Sequence, residues 1–148
     1  GNDVKQFAQM MLTDHNASSE KLKAYASQRN IEVPGELDDK HRDLSTKLSE
    51  KHGLDFDRAY ADAMVDAHQD MVNKLESRVD KDTLTRATAD NTHGPDGKVK
   101  AQAVAAEKSD DPNTMALNEW AAATYPVAYA HLQAAKDLRD GVRKRSTN

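Results

Sequence analysis

The sequence contains no cysteine, which removes disulfide staples, thiolate nucleophiles and thiolate metal ligands together. Aromatic residues are almost as scarce, with two Phe, one Trp and four Tyr among 148 residues. At an apolar fraction of 37%, with Ala abundant, a core has to be assembled from Leu, Met, Val and Ala. That inventory suits closely packed helices better than a sheet. Neither sign of charge prevails: 21 basic residues are interspersed with 25 acidic ones for a net charge of −4. The surface therefore carries no basic footprint for nucleic acid, and the short "RKRSTN" ending does not create one. No apolar run approaches the roughly 20 residues of a membrane span, and no signal-peptide pattern is visible. "GN" reads as a leftover ahead of a mature or trimmed segment.

Apolar periodicity is what the sequence does supply. After Asp3, an expected N-cap, Val4, Phe7, Met11, His15, Ser18, Leu22 and Tyr25 recur at steps of three and four, which predicts a long helix through Arg29. Pro34 and Gly35 interrupt it. Leu37, His41, Leu44 and Leu48 predict a short helix closed by Gly53. Asp55 is the expected cap of a second long helix running to about Asp80, with the stripe Tyr60, Met64, His68, Met71 and Leu75. Residues 81–111 are polar, with Gly94, Pro95 and Gly97 at their centre. So long a connection is expected to be mobile or partly helical, and "KVKAQAVAAEK" is its candidate helix. Asp111 followed by Pro112 signals a third long helix, with Leu117, Trp120, Thr124, Ala128, His131, Ala135 and Leu138 on one face and an end at Gly141. Pro126 inside it predicts a kink. The expectation is an all-α, up-down bundle of three long helices, one short helix and a long polar insertion. Its single domain spans 3–140, followed by a basic tail at 141–148.

Each long helix carries a histidine on its apolar stripe: His15, His68 and His131. A buried imidazole needs a partner for each ring nitrogen, and a shared metal ion or polar network satisfies several at once. Counted from their helix starts, His15 and His68 fall level. His131 falls about 10 Å away at about 1.5 Å per residue unless its helix overhangs, which makes it the weakest member. Met11 and Met64 each precede their histidine by one turn, and thioether with imidazole is a set that copper favours, although Met is also a common core filler. Phe7, Met11, His15 and Leu22 share the spacing of Tyr60, Met64, His68 and Leu75, as a pseudo-twofold repeat or any heptad helix would. In a metal-free core each of these histidines would bond a nearby carboxylate, hydroxyl or water, with Asp14 and Asp66 as candidates only at the helix edges. His41, His52 and His93 lie at exposed or turn-like positions. The inward Glu-x-x-His pairs of a di-iron carboxylate bundle, a nucleophile elbow and a phosphate loop are all missing, so nothing supports an enzyme.

At "VKQFAQMMLTDH", "FDRAYADAMVDAH" and "YPVAYAHLQAA" the chain resembles the ferritin-like bacterial family known as domain of unknown function 4142, whose members are described as predicted outer-membrane or exported proteins. The resemblance covers most of residues 3–80 and 112–140. It implies a ferritin-like helical bundle and a periplasmic or cell-envelope location. The family normally has one more long helix ahead of the first, and a shorter connection than 81–111. Three wide-striped helices without that fourth should leave an apolar groove, covered in a homodimer or by the segment from Val99 to Ala106. Two functions follow. The first is a non-enzymatic envelope protein acting as a structural or interaction module, its histidines satisfied core groups. The alternative is a protective protein binding copper, zinc or iron, with His15, His68, His131, Met64 and Met11 as the ligand set.

Overall fold

The computed structural model describes residues 1–89 and 102–145. These residues form five helices and no strand: α1 (Asn2–Ser27), α2 (Asp39–Ser49), α3 (Gly53–Glu76), α4 (Lys81–Ala89) and α5 (Pro112–Arg145). The described residues make an all-α bundle of three long and two shorter helices. The second short helix, α4, lies where the sequence predicts a polar insertion. By internal contacts the chain divides into two compact units: residues 1–62 with the chain from Leu138 onward, and residues 63–137.

In the first unit, α1 buries Val4, Phe7, Met11 and Ala26. Phe7 meets Tyr60 edge-on at 6.4 Å, and Tyr60 stacks on Phe56 at 5.8 Å. The predicted N-cap is displaced: the helix begins at Asn2, and Asp3 sits in its first turn, held by Arg145 at 3.0 Å. The buried carboxylate of Asp57 also faces Arg145, at 3.6 Å. α1 ends at Ser27, two residues short of the predicted Arg29 and before Pro34 is reached. The Ile31 N–H bonds the Ala26 carbonyl and the Asn30 N–H bonds that of Ser27, with Asn30 at φ +53°. That is a Schellman stop with Asn in the left-handed position glycine usually fills. α2 is capped by Asp38, which accepts the His41 N–H at 2.8 Å, and it buries no residue fully. Gly53 has φ +58°, a value that favours glycine, but it opens α3 rather than closing α2. Asp55 consequently lies in the first turn of α3 instead of capping it.

The second unit is built on α3 and α5. The buried positions along all of α3 are Asp57, Ala61, Val65, His68, Val72 and Leu75, in steps of four, four, three, four and three. This stripe shares His68 and Leu75 with the predicted one but is otherwise rotated by a residue, so Tyr60 and Met64 are half-buried and Met71 is exposed. Small Ala and Val side chains take the buried positions, and the bulkier ones beside them are less buried. α3 stops at Glu76 rather than about Asp80, because Asp80 serves as the cap of α4, accepting the Thr83 N–H at 2.9 Å. Between them, Val79 is buried and forms a single antiparallel bridge with Ala106. The Asp80 N–H bonds the Ala105 carbonyl and the Glu107 N–H that of Arg78. The described part of "KVKAQAVAAEK", residues 102–108, is thus non-helical and tied to the α3–α4 turn. Val99 lies outside the described residues.

α5 starts where the sequence signals it, with the Thr114 N–H on the Asp111 carboxylate at 2.7 Å and Pro112 in the first turn. Its hydrogen-bonded run continues through Pro126 and passes Gly141 to Arg145, with Val142 fully buried. Gly141 therefore does not end the helix. Leu117, Trp120 and Thr124 are half-buried, while Asn118, Ala121, Ala122 and Tyr125 hold the buried face ahead of Ala128 and His131. α5 runs antiparallel to α3: Asn118 bonds Arg78, Tyr125 bonds Glu76, and His131 lies against His68.

Candidate metal centre

The antiparallel register decides which histidines meet. α5 begins well beyond the C-terminal end of α3, its first turns bonded to the segment after α4 through Asn118, whose amide donates to the Glu107 carbonyl at 2.8 Å. This overhang brings His131 level with His68. Their ring centroids are 5.6 Å apart, and the planes are nearly perpendicular at 86°. The member that counting from helix starts makes the weakest is thus one half of the best-defined pair. Both rings are buried, with relative exposures of 6% for His68 and 7% for His131.

The His68 ring has a fixed orientation. Its Nδ1 lies 2.7 Å from the carbonyl of Met64, one turn earlier in α3. A carbonyl can only accept, so Nδ1 carries the proton and the lone pair resides on Nε2, which is itself buried. A backbone carbonyl on the remote nitrogen is the arrangement by which metal-binding histidines are oriented and made more basic. The bond also answers the carboxylate expectation: Asp66 is exposed, and the backbone of Met64 is the observed acceptor.

His15, His68 and His131 form a cluster in which one ring nitrogen from each lies within 4.8 Å of the other two. His15 is exposed. It does not occupy the interior position that its stripe predicts. An ion with nitrogen ligands at about 2.0–2.1 Å holds them about 3.3 Å apart when tetrahedral, a spacing inside the 4.8 Å within which these three lie. The three residues can coordinate a transition metal through imidazole alone, a set that suits zinc, copper, iron or nickel.

The remaining predicted ligands are placed as follows. Met11 is buried in α1 and Met64 is half-buried in α3, where its carbonyl positions His68. His41 is exposed and bonds the Asp38 carboxylate at 2.6 Å through Nδ1, apart from the cluster. His52 is exposed beside Glu50, Asp55 and Asp62 in a shallow cleft of the first unit. His93 lies outside the described residues. The role of the Met64 carbonyl has no trace in residue types. Only the four-residue spacing of a helical turn suggests it.

Near the pair, Tyr125 is buried and donates to Glu76 at 3.3 Å. Burial, with the adjacent Glu76 carboxylate, pushes its phenol upward, so it stays protonated. The ring also stacks on Tyr129 at 5.9 Å. These contacts fix α5 against α3 one to two turns from the histidines.

No helix among the described residues is long and apolar enough to cross a membrane. No curated protein and no solved structure matches the chain. A family model does, over residues 1–93, which takes in His15 and His68 and stops short of α5 and His131. On that match, covering more than half of its length, the chain belongs to the family described as domain of unknown function DUF4142.

Proposed function

We propose that this protein binds a transition metal ion through His15, His68 and His131, as a non-enzymatic metal-holding protein of the cell envelope. The observation that carries the reading is the convergence of three ring nitrogens within 4.8 Å from helices far apart in sequence, one ring already set by the Met64 carbonyl with Nε2 as its ligand atom. His68 and His131 each carry a polar desolvation cost that apolar residues at these buried positions would avoid. The envelope location rests on the family resemblance.

The test is elemental analysis and metal titration of chelator-stripped protein. One equivalent of Zn(II) or Cu(II) per chain is expected. Replacing the exposed His15 by Ala should lower affinity at least about tenfold, or about 1.4 kcal/mol, without unfolding the protein. Binding that is equal in the wild type and in a variant lacking all three histidines would overturn the proposal.

A second reading, an interaction module, is favoured by the exposed apolar residues Leu12, Ile31, Val33 and Leu37 in the first unit. Self-association into a homodimer through them would appear in light scattering and be weakened by Leu37→Ser. A concentration-independent monomer would dismiss it.

A further inference from the structure

A buried amide joins three segments of the second unit. Asn118 of α5 is 4% exposed; its amide N–H donates to the Glu107 carbonyl at 2.8 Å, and its side-chain oxygen accepts from the Arg78 guanidinium, just beyond α3, at 3.3 Å. Glu107 is itself tied to that turn, its N–H on the Arg78 carbonyl at 3.0 Å beside the Val79–Ala106 bridge. The apolar residues of α5 do not single out a position along the helix axis in this way. Ala121, Ala128 and Ala135 are all buried and recur every seven residues. A shift of α5 by one heptad, about 10 Å along its axis, therefore presents alanines at the same places again. The polar residues do not survive such a shift. It would bring Tyr125 to the place of Asn118, away from Glu76, and Leu138 to the place of His131. The Glu107 carbonyl and the Arg78 guanidinium would lose their amide partner, and a buried polar group left unpaired costs more than its bond gains when made.

We propose that Asn118 is the positioning residue that sets the register of α5 against the end of α3 and so holds His131 level with His68. What the register serves rests on the metal-binding reading above; the register itself does not. A single buried Asn between helices specifies register at some cost in stability, because only one alignment satisfies both sides of its amide.

The chain has no cysteine, so two spin labels can be placed through Asp66→Cys and Glu119→Cys, at exposed positions of α3 and α5. Asp66 lies twelve residues before Arg78, so the labels are offset along the axis and their separation changes when α5 slides. Pulsed electron paramagnetic resonance on the labelled protein should give one distance. Adding Asn118→Leu should produce a second population displaced by several ångströms, with helical circular dichroism retained and zinc affinity lower by at least about tenfold. Arg78→Met, at a half-buried position outside the helices, should produce the same second population to a smaller extent. A folded Asn118→Leu protein with the single wild-type distance would overturn the proposal. If that variant does not fold, an unchanged distance in Arg78→Met would overturn it. A second distance with unchanged zinc affinity would overturn the link from register to the histidines. Absence of zinc binding in the wild type would overturn the metal reading, and the label distances would still decide the register.

Discussion

Asn30 is, among the described residues, the non-glycine position with positive φ, at +53°. It holds the left-handed conformation because the two hydrogen bonds that end α1 require it. Asn tolerates this region better than any β-branched residue, and Gly better still. Asn30→Gly should leave stability unchanged or raise it by up to about 1 kcal/mol, and Asn30→Val should lower it by about 1–2 kcal/mol, both read from urea denaturation midpoints. Equal effects of Gly and Val would contradict the assigned stop. His68 poses the opposite case, a residue whose chemistry costs stability. Its ring is buried and its Nδ1 is held by the Met64 carbonyl, so His68→Leu exchanges a buried polar group for an apolar one of similar size. Metal affinity should fall by at least about tenfold while the melting temperature of the metal-free protein stays equal or rises. A metal-free variant that is clearly less stable would instead mark the ring as part of a stabilising polar network.

Three of the five helices among the described residues begin on carboxylates. Asp38, Asp80 and Asp111 stand immediately before α2, α4 and α5, and each accepts a backbone N–H three residues on, from His41, Thr83 and Thr114. Hydrogen bonding holds all three below the usual carboxylate value: to the backbone of His41 for Asp38, to that of Thr83 for Asp80, and to the Thr114 side chain and then its backbone for Asp111. Because the folded values are lower than the unfolded one, the folded state favours the ionised form. The caps contribute fully above an unfolded carboxylate pKa of about 3.9, and the contribution is lost as pH falls through the depressed folded values. Replacing all three by Asn, which caps helices without titrating, should keep helicity near wild type at neutral pH. It should flatten the acid limb of a circular-dichroism titration below about pH 4. A wild-type acid limb in the triple variant would assign that loss to other groups.

These caps also show what was readable from sequence at this scale. Asp111 before Pro112 was legible because both residues have positional meaning, and the structure places them as cap and first turn. Asp80 was not, because its cap belongs to a helix of nine residues with almost no apolar pattern, fixed by Val79 pairing with Ala106 far along the chain. The buried stripe of α3 lies one residue off the predicted one for a related reason. Tyr60, Met64 and Met71 attract attention by size, but the buried positions are Ala61, Val65 and Val72. The nearness of His131 to His68 depended on how far α5 overhangs α3, which residue counting leaves open and the α4 turn determines.

At the scale of the molecule, the three proposed ligands come from α1, α3 and α5, at positions 15, 68 and 131. The unfolded chain presents them as isolated histidines separated by about fifty to sixty residues, so it offers an ion no comparable site. Binding free energy is then linked to folding: at a free-metal concentration about 100 times the dissociation constant, the folded state gains about 2.7 kcal/mol. A chain of this length shifts its melting temperature by about 2–4 °C per kcal/mol, which predicts a rise of about 5–11 °C with zinc, reversed by a chelator. Elsewhere the surface carries exposed carboxylates that any divalent ion contacts weakly, including those of the shallow cleft at Asp55 and Asp62. Specificity therefore has to be judged against magnesium, a hard cation that prefers oxygen ligands and gains little from imidazole. Differential scanning fluorimetry should show the rise with zinc but not with equimolar magnesium, and in wild type but not in a variant lacking the three histidines. A shift that magnesium reproduces, or that survives removal of the histidines, would place the effect on the carboxylates and not on the cluster.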